Sequence, residues 1–323
     1  MPREKRDMVQ QHATGWDLPT LLCDVPGRKD FARPLAPLTS MRIGGPADAL
    51  VRIETVNTLR CLQAVARQHA IPLFILGGGS NLLIRDGGIR GIVVLLRGAF
   101  RAYCVEPCSP GAQSERAHVQ VGVGYPLSRL ALQLARHGWS GLEFAYGIPG
   151  TLGGAMVMNA GTHLGDMSRV LVQARVLRSD GQVQELPASA LGLRYRGSSY
   201  PPGAVLLGAT LRLQQGERAQ IEALMHESYA RRQRTQPLSQ PNAGSIFKNP
   251  PGTAAGRLIE ELGLKGTRLG GAMISPVHAN FIVNVGHAMA ADVEALMAHV
   301  RERVRVAYHI GLEPEVHIVG EEG

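Results

Sequence analysis

Several features that mark common classes of protein are missing from this 323-residue chain. No run of about 18 consecutive apolar residues occurs, which excludes a conventional membrane-spanning helix. Residues 1–11 are charged and contain no apolar core, so we expect no secretory signal and a cytoplasmic protein. Apolar content of 45% and charged content of 19% are typical of a globular chain long enough for two domains.

Cysteine is scarce and poorly placed for a metal site. The four cysteines lie at positions 23, 61, 104 and 108 and form no Cys-x-x-Cys pair. Cys104 and Cys108 lie in a connector rich in proline, serine and glycine, without a nearby pair of histidines to complete a zinc site. We therefore predict no metal centre and free thiols in a reducing compartment.

Lysine is almost absent, although the chain is basic. Four lysines stand against 30 arginines, and the net charge is +8. Because arginine does not replace a compact ammonium, Lys248 reflects either a specific role or chance. The positive charge suits anionic partners such as phosphates. The arginines are scattered, and a solvated helix end also explains the one cluster at 231–234, so we predict no nucleic-acid partner.

The first of two glycine-rich segments follows a predicted strand at 73–76. It comprises Gly77, Gly78, Gly79, Ser80 and Asn81. Consecutive glycines let backbone N–H groups approach an anion with no Cβ in the way. No long helix follows, as a dinucleotide-binding GxGxxG motif requires, and the Gly-Lys-Ser/Thr of a P-loop is absent. The segment is therefore either a phosphate-binding loop of another kind or a plain tight turn.

The second glycine-rich segment, residues 147–161, reads GIPGTLGGAMVMNAG and contains five glycines. Ordering so many glycines is entropically costly if the loop only connects two elements. Close approach of a large flat ligand with a diphosphate would explain it, and a tightly packed glycine crossing is the alternative. The candidate ligand-binding residues are Gly147, Ile148, Pro149, Gly150, Gly153 and Gly154.

Hydrophobic periodicity predicts an α+β protein. Short strands and helices alternate from residue 38 to residue 213, and an amphipathic helix covers 217–234. We expect Ile221, Leu224, Met225 and Tyr229 on one face of that helix. The division is into a lead segment (1–36), a first domain (37–214) and a second domain (215–323).

The second domain is predicted to contain two further helices and two strands. A helix at 256–262 and a strand at 281–285 are followed by a helix from Asp292, the predicted N-cap, to about Tyr308. A strand at 315–319 ends the pattern.

Three short turns carry reactive groups: YRGSS at 195–199, GSIFKNP at 244–250 and LEPE at 312–315. Together they offer a guanidinium, a hydroxyl and a carboxylate. Such groups can protonate and stabilise a developing enolate if the fold brings them together.

These turns belong to an ordered set of motifs: TSMRIGGPA at 39–47, LGGGSN at 76–81, GLEF at 141–144, the segment at 147–161, YRGSS, GSIFKNP, GLKG at 263–266, HANFIVN at 278–284 and LEPEV at 312–316. With this set the chain resembles the UDP-N-acetylenolpyruvoylglucosamine reductase family, flavoenzymes of bacterial cell-wall precursor synthesis, over about residues 38–320. The resemblance implies a FAD-binding fold of the vanillyl-alcohol-oxidase type, followed by a smaller α+β substrate-binding domain. It also implies noncovalent FAD on the two glycine segments and NADPH as cosubstrate. The short link after Ser199 resembles the form of the family that lacks an inserted substrate-covering loop.

The resemblance also implies a role for each candidate residue. Arg196 would bind the substrate carboxylate, and Ser245 would donate the proton. Glu315 would be protonated or hydrogen-bonded against the enol, which predicts a raised pKa, and Glu313 is the competing candidate. Lys248 and Asn249 are expected substrate contacts.

Two sequence departures and two other functions remain open at this stage. Pro276 and Val277 stand where the family often has charged residues, and residues 162–166 lack the usual aromatic. A FAD-linked oxidase is disfavoured because neither glycine loop has a cysteine or histidine before His163. A basic nucleotide- or RNA-binding protein is the non-enzymatic alternative. We expect a monomer that acts on a small-molecule substrate, and the preference for NADPH over NADH stays open.

Overall fold

The computed structural model describes residues 15–107 and 115–323, so predictions for Cys108 and residues 1–14 lie outside the described residues. In the described part, the helices are α1 (Leu18–Leu21), α2 (Val56–Gln68), α3 (Leu127–Arg136), α4 (Leu152–Val157), α5 (Arg218–Thr235), α6 (Ala255–Glu261) and α7 (Ala290–Tyr308). No described helix combines the length and apolarity needed to cross a bilayer.

The strands are short, and most belong to the first two thirds of the chain. They are β1 (Lys29–Pro34), β2 (Pro46–Ile53), β3 (Leu73–Ile75), β4 (Leu82–Ile84), β5 (Ile89–Leu96), β6 (Tyr103–Pro107), β7 (Arg116–Gly122), β8 (Trp139–Ser140), β9 (Gly161–Thr162), β10 (Gly165–Asp166), β11 (Leu171–Leu177), β12 (Val183–Pro187), β13 (Val205–Gln215), β14 (Arg268–Leu269), β15 (Ala272–Ile274), β16 (Ile282–Asn284) and β17 (His317–Val319).

A mixed sheet in the order β1-β2-β5-β3 forms one layer of the first unit. Strands β2 and β3 both run parallel to β5, and β1 pairs antiparallel with β2. The β5 sequence IRGIVVLL is apolar almost throughout and largely buried, as expected for a central strand of a parallel sheet. The first glycine loop leaves the carboxyl end of β3, where ligands commonly bind to parallel sheets.

The second layer of the first unit is an antiparallel sheet. Its order is β12-β11-β13-β7-β6, and β8 pairs with β13. Alternate residues of β13 are buried, which is the period-two pattern of a strand with one face on the core. Side chains of both sheets and of helices α2 and α3 share one hydrophobic core.

The second unit is a small antiparallel sheet, β14-β15-β16, with α6 and α7 packed beside it and a separate core. Strand β17 leaves this unit and pairs in parallel with β4 of the first. Met41, Ile43 and Leu83 from the first unit also enter the second core. The two units are therefore joined by a strand pair as well as by side-chain packing.

Helix α5 packs on the first unit, although the predicted division assigns it to the second. Ile221 and Met225 belong to the first core, and the helix contacts α3 and β8. The expected place of Leu224 on the same apolar face is wrong, because this side chain is 46% exposed. The division at residue 214 stays a prediction. In the lead segment, β1 joins the first sheet, and Leu18 and Leu22 are buried in the first core.

The turn after β4 caps helix α7 across the junction of the two units. The carboxylate of Asp86 accepts hydrogen bonds from Ala290 N at 2.9 Å and from Ala291 N at 3.2 Å. These are N–H groups that a helix start leaves without partners. Asp292, predicted as the N-cap, instead lies in the first turn, where it accepts from Met289 N at 3.0 Å.

Replacing Asp86 by alanine is expected to lower the free energy of unfolding by about 1–2 kcal/mol, because two N–H groups of α7 lose their acceptor. Urea denaturation followed by circular dichroism measures the change. Asp24→Ala, at an exposed position outside the helices, is the control. Equal stability of the two variants would contradict the capping role.

Candidate active site

A cavity of about 1750 Å³ is lined by residues of both units. Both glycine loops contribute to its wall. Arg196, Ser245 and Glu315, which come from three turns far apart in the sequence, all border the same space. Asn249 also lines the cavity, whereas Lys248 is not among the lining residues.

The two glycine loops cross in direct contact. A Cβ added to Gly78 would lie 2.4 Å from the Cα of Gly150, which no side chain tolerates. The hydroxyl of Ser80 donates to the Pro149 carbonyl oxygen at 3.1 Å. Some of the glycines are therefore required by loop packing, which is the alternative that the sequence left open. At Gly154 a Cβ would meet nothing closer than 3.8 Å, so the backbone of α4 is open there.

Arg196 lies in a tight turn with a left-handed backbone, at φ 52°. Arg194 and Gly197 close the turn through backbone hydrogen bonds in both directions. Left-handed backbone at a residue other than glycine is unfavourable and is found disproportionately at functional sites. The guanidinium lies 5.1 Å from the centre of the Tyr195 ring, and Nη2 donates to the Gly161 carbonyl oxygen at 3.3 Å. Only residues 200–204 connect this region to β13.

Glu315 is the ionic partner of Arg196. The Nε atom of Arg196 lies 2.8 Å from Oε1 of Glu315, and the two side chains are 24% and 14% exposed. Burial raises the pKa of Glu315, and the charges of Arg196 and Lys248 offset part of that rise. The predicted upward shift of this pKa is confirmed. The backbone of Glu315 is held by Asn81, whose Nδ2 donates to the Glu315 carbonyl oxygen at 3.0 Å.

The turn that carries Ser245 is fixed by Asn280, a 4% exposed asparagine that the sequence analysis did not assign. Its Oδ1 accepts from Phe247 N at 3.0 Å, and its Nδ2 donates to the Phe247 carbonyl oxygen at 2.8 Å. The next residue along from Ser245, Ile246, accepts a hydrogen bond from Glu315 N at 2.7 Å. Backbone pairing therefore holds the residue after Ser245 against Glu315, and Ser245 and Glu315 both border the cavity.

The remaining predicted residues have structural partners. Lys248 Nζ lies 2.5 Å from Oε1 of Glu313, whose side chain is 70% exposed. Glu313 is thus the surface carboxylate of the pair, and Glu315 is the one that borders the cavity. Asn249 Oδ1 accepts from Ala255 N at 3.1 Å, at the start of α6, which leaves its amide nitrogen available. His278, to which no chemistry was assigned, accepts from Asn280 N through Nδ1 at 3.1 Å.

Arg232, which was not among the predicted site residues, also lines the cavity. Its Nη1 atom is buried without a hydrogen-bond partner among residues 15–107 and 115–323. A solvated helix end, the alternative offered for the cluster at 231–234, does not describe this residue. The spacing gave a usable indication: Tyr229 and Arg232 lie four and seven positions after the buried Met225, on one helix face.

The residues present fit a flavin dinucleotide. The glycine loops supply backbone groups along one wall, and Ile75, Val205 and Leu206 supply apolar surface. Arg232, whose Nη1 atom has no hydrogen-bond partner among the described residues, suits a phosphate. Among the described residues, no group of three or more histidine, cysteine or acidic side chains is arranged to hold a metal ion.

Comparisons with known proteins agree with this geometry. A family model described as "UDP-N-acetylenolpyruvoylglucosamine reductase, C-terminal domain" matches residues 236–319, and one described as "FAD binding domain" matches residues 47–187. A UDP-N-acetylenolpyruvoylglucosamine reductase from Anaeromyxobacter dehalogenans is 47% identical over 288 residues, covering 89% of this chain and 84% of the relative. A second reductase, numbered 2, from Symbiobacterium thermophilum is 46% identical over 296 residues, covering 91% of this chain and 93% of the relative.

A solved structure leads to the same family. The crystal structure of UDP-N-acetylenolpyruvylglucosamine reductase from Thermus caldophilus superposes with a TM-score of 0.77 at 38% identity, covering 91% of this chain and 98% of that one. The predicted fold class is confirmed: α+β, with a FAD-binding fold of the vanillyl-alcohol-oxidase type followed by a smaller α+β part. FAD is confirmed as the cofactor. The chain belongs to the UDP-N-acetylenolpyruvoylglucosamine reductase family.

Proposed function

We propose that Arg196, Ser245 and Glu315 are the catalytic residues of this cavity and that the two glycine loops bind FAD. The enzyme uses NADPH to reduce UDP-N-acetylenolpyruvoylglucosamine to UDP-N-acetylmuramate in peptidoglycan precursor synthesis. One observation carries the residue assignment: Arg196 contacts Glu315 at 2.8 Å, and Glu315 is bonded through its backbone to the residue after Ser245.

FAD, when bound, supplies the hydride chemistry between NADPH and the terminal alkene carbon of the enolpyruvyl ether. Negative charge then develops on the neighbouring carbon and on its carboxylate. Fixed donors aimed at that charge stabilise the transition state more than they stabilise the substrate.

Arg196 is suited to hold the substrate carboxylate. Its contacts with Glu315 and with the Gly161 carbonyl use one N–H each from Nε and Nη2. The other guanidinium N–H groups remain for an incoming carboxylate, which arginine binds in a planar, bidentate manner. The left-handed turn fixes the direction in which the side chain leaves the backbone.

Ser245 is the proposed proton donor to the carbon that carries the developing charge. A serine hydroxyl is a weak acid, but the carbanion-like intermediate is strongly basic, so transfer between them is feasible. Lys248 does not line the cavity, yet its charge reaches the site, since it lowers the pKa of Glu315. That field also favours the serine alkoxide that is left after proton transfer.

We propose that Glu315 acts in its protonated form once the substrate carboxylate takes its place as the anionic partner of Arg196. The raised pKa keeps a larger fraction of this carboxyl neutral than an exposed glutamate would have at the same pH. A neutral carboxyl donates a hydrogen bond to the enolate oxygen, whereas a carboxylate would repel it. Asn249, whose amide nitrogen donates to no described residue, is a proposed contact for the rest of the substrate. Lys248 is a second proposed contact, and it has to leave Glu313 to reach the cavity.

We further infer that the enzyme is a cytoplasmic monomer. The proposed catalytic residues and both glycine loops are supplied by one chain, so the cavity needs no second copy. NADPH is a cytoplasmic reductant.

Ser245→Ala is expected to leave reduction by NADPH intact and to slow the second half-reaction, with the enolpyruvyl substrate, by about 100- to 10,000-fold. The reason is that only the second step needs the proton. Stopped-flow absorbance of the flavin, recorded anaerobically, measures each half-reaction separately. Ser189→Ala, at an exposed position outside the cavity lining, is the control. If Ser245→Ala runs both steps at the wild-type rate, Ser245 is not the acid.

Glu315→Gln tests the protonation state of the carboxyl. Because the pKa of Glu315 is raised above 4.5, its protonated form persists above that pH and is lost as pH passes the shifted pKa. The wild-type second half-reaction should therefore slow over that interval. Glutamine keeps a neutral donor, so this decline should be absent from the pH profile of the variant. Should Glu313→Gln abolish the decline instead, Glu313 is the relevant acid.

A further inference from the structure

Arg232 occupies an unusual position in the last turn of α5. Its Nε atom donates to Oε1 of Gln236 at 3.1 Å. On its other side the guanidinium lies against the second glycine loop: a Cβ at Gly147 would come within 3.2 Å of Nη1 and 2.4 Å of the Tyr229 ring. The side chain therefore bridges the helix end and the loop proposed to bind FAD.

The guanidinium lacks an anionic partner within the described part of the chain. No described carboxylate forms an ion pair with it, and Nη1 is buried without an acceptor. Burial lowers the pKa of Arg232, but arginine keeps its charge at neutral pH. Arg231 and Arg234 border the same cavity and add positive charge. A desolvated cation of this kind is strongly destabilising unless an anion reaches it.

We propose that Arg232 binds a phosphate group of a nucleotide held in the cavity. The inference rests on the proposed function for the identity of the nucleotides, because FAD, the UDP-sugar and NADPH each carry a diphosphate. The contact with Gly147 favours FAD as the source. Because Nε donates to Gln236 and Nη1 is buried beside Gly147, Nη2 is the guanidinium group left to donate to a phosphate oxygen in the cavity.

A purely structural role is the competing explanation. Arg232 also packs against Tyr229 and Gly147, so its removal would loosen the end of α5 whether or not a phosphate is bound. The two explanations predict different results for a variant that keeps the positive charge at position 232 but loses the guanidinium group. Lysine and methionine are both long, unbranched side chains, but only lysine is cationic.

The test therefore compares Arg232→Met with Arg232→Lys in the full-length holoenzyme. Three quantities are measured: the dissociation constant of FAD, from flavin fluorescence on dilution; inhibition by UDP relative to uridine; and the KM for NADPH. We expect Arg232→Met to weaken one phosphate-bearing ligand by about 10- to 100-fold and Arg232→Lys to weaken it less. The affected ligand identifies the source of the phosphate. Inhibition by uridine, which has no phosphate, should not change.

Arg218→Met is the matched control, because Arg218 lies on the same helix in a surface ion pair with Glu222. The proposal is overturned if Arg232→Met and Arg232→Lys bind all three ligands alike, or if uridine loses as much affinity as UDP. Arg232→Gln replaces the methionine variant if the latter does not fold. Arg232→Met could still show the flavin absorbance changes with NADPH and with substrate while binding FAD, UDP and NADPH as the wild type does. That result would refute this inference alone and leave the proposed function intact.

Discussion

The arrangement of the site depends on the ion pair between Arg196 and Glu315. Arg196 is supplied by the first unit and Glu315 by the segment that returns from the second, so the 2.8 Å contact joins the two. A half-buried pair of this kind gives little net stability, because desolvation offsets most of the Coulomb attraction. Its value is geometric. It holds a guanidinium and a carboxyl with a raised pKa at one place, where a single substrate carboxylate can meet both.

Neutral polar contacts support that pair. Asn81 leaves the first glycine loop and bonds the backbone of Glu315, while His317 N donates back to the Asn81 carbonyl oxygen at 3.1 Å. Asn280 satisfies both backbone groups of Phe247, two residues beyond Ser245. Because buried amide groups left unpaired are costly, each asparagine specifies one position of its loop. The reacting groups are thus positioned by a frame that takes no part in the chemistry.

Local patterns predicted most of the elements, because strands such as β13 alternate with period two and helices α2 and α3 each have one apolar face. The prediction for Leu224 was wrong because α5 buries only a narrow face, which contains Ile221, Met225 and Ser228. The three motif residues could be named from their resemblance to a family, but their contacts could not. Nothing in the sequence distinguishes Glu313 from Glu315 by exposure, since two positions on an irregular segment can point either way. Only the pairing of Glu315 N with Ile246 decides which carboxyl enters the cavity.

The distribution of charge within the cavity separates structural from functional side chains. Arg257, which lines the cavity, is paired with Glu261 and so needs nothing further. Arg196 is paired through one edge only, and Arg232 has a buried edge without any acceptor in the described chain. Since folding does not favour cations whose donors are incompletely satisfied, their presence indicates stabilisation that the bound ligands supply. In the proposed complex, the substrate carboxylate pairs with Arg196 and a nucleotide phosphate pairs with Arg232. An enzyme that binds several anionic ligands therefore has a reason to retain both arginines.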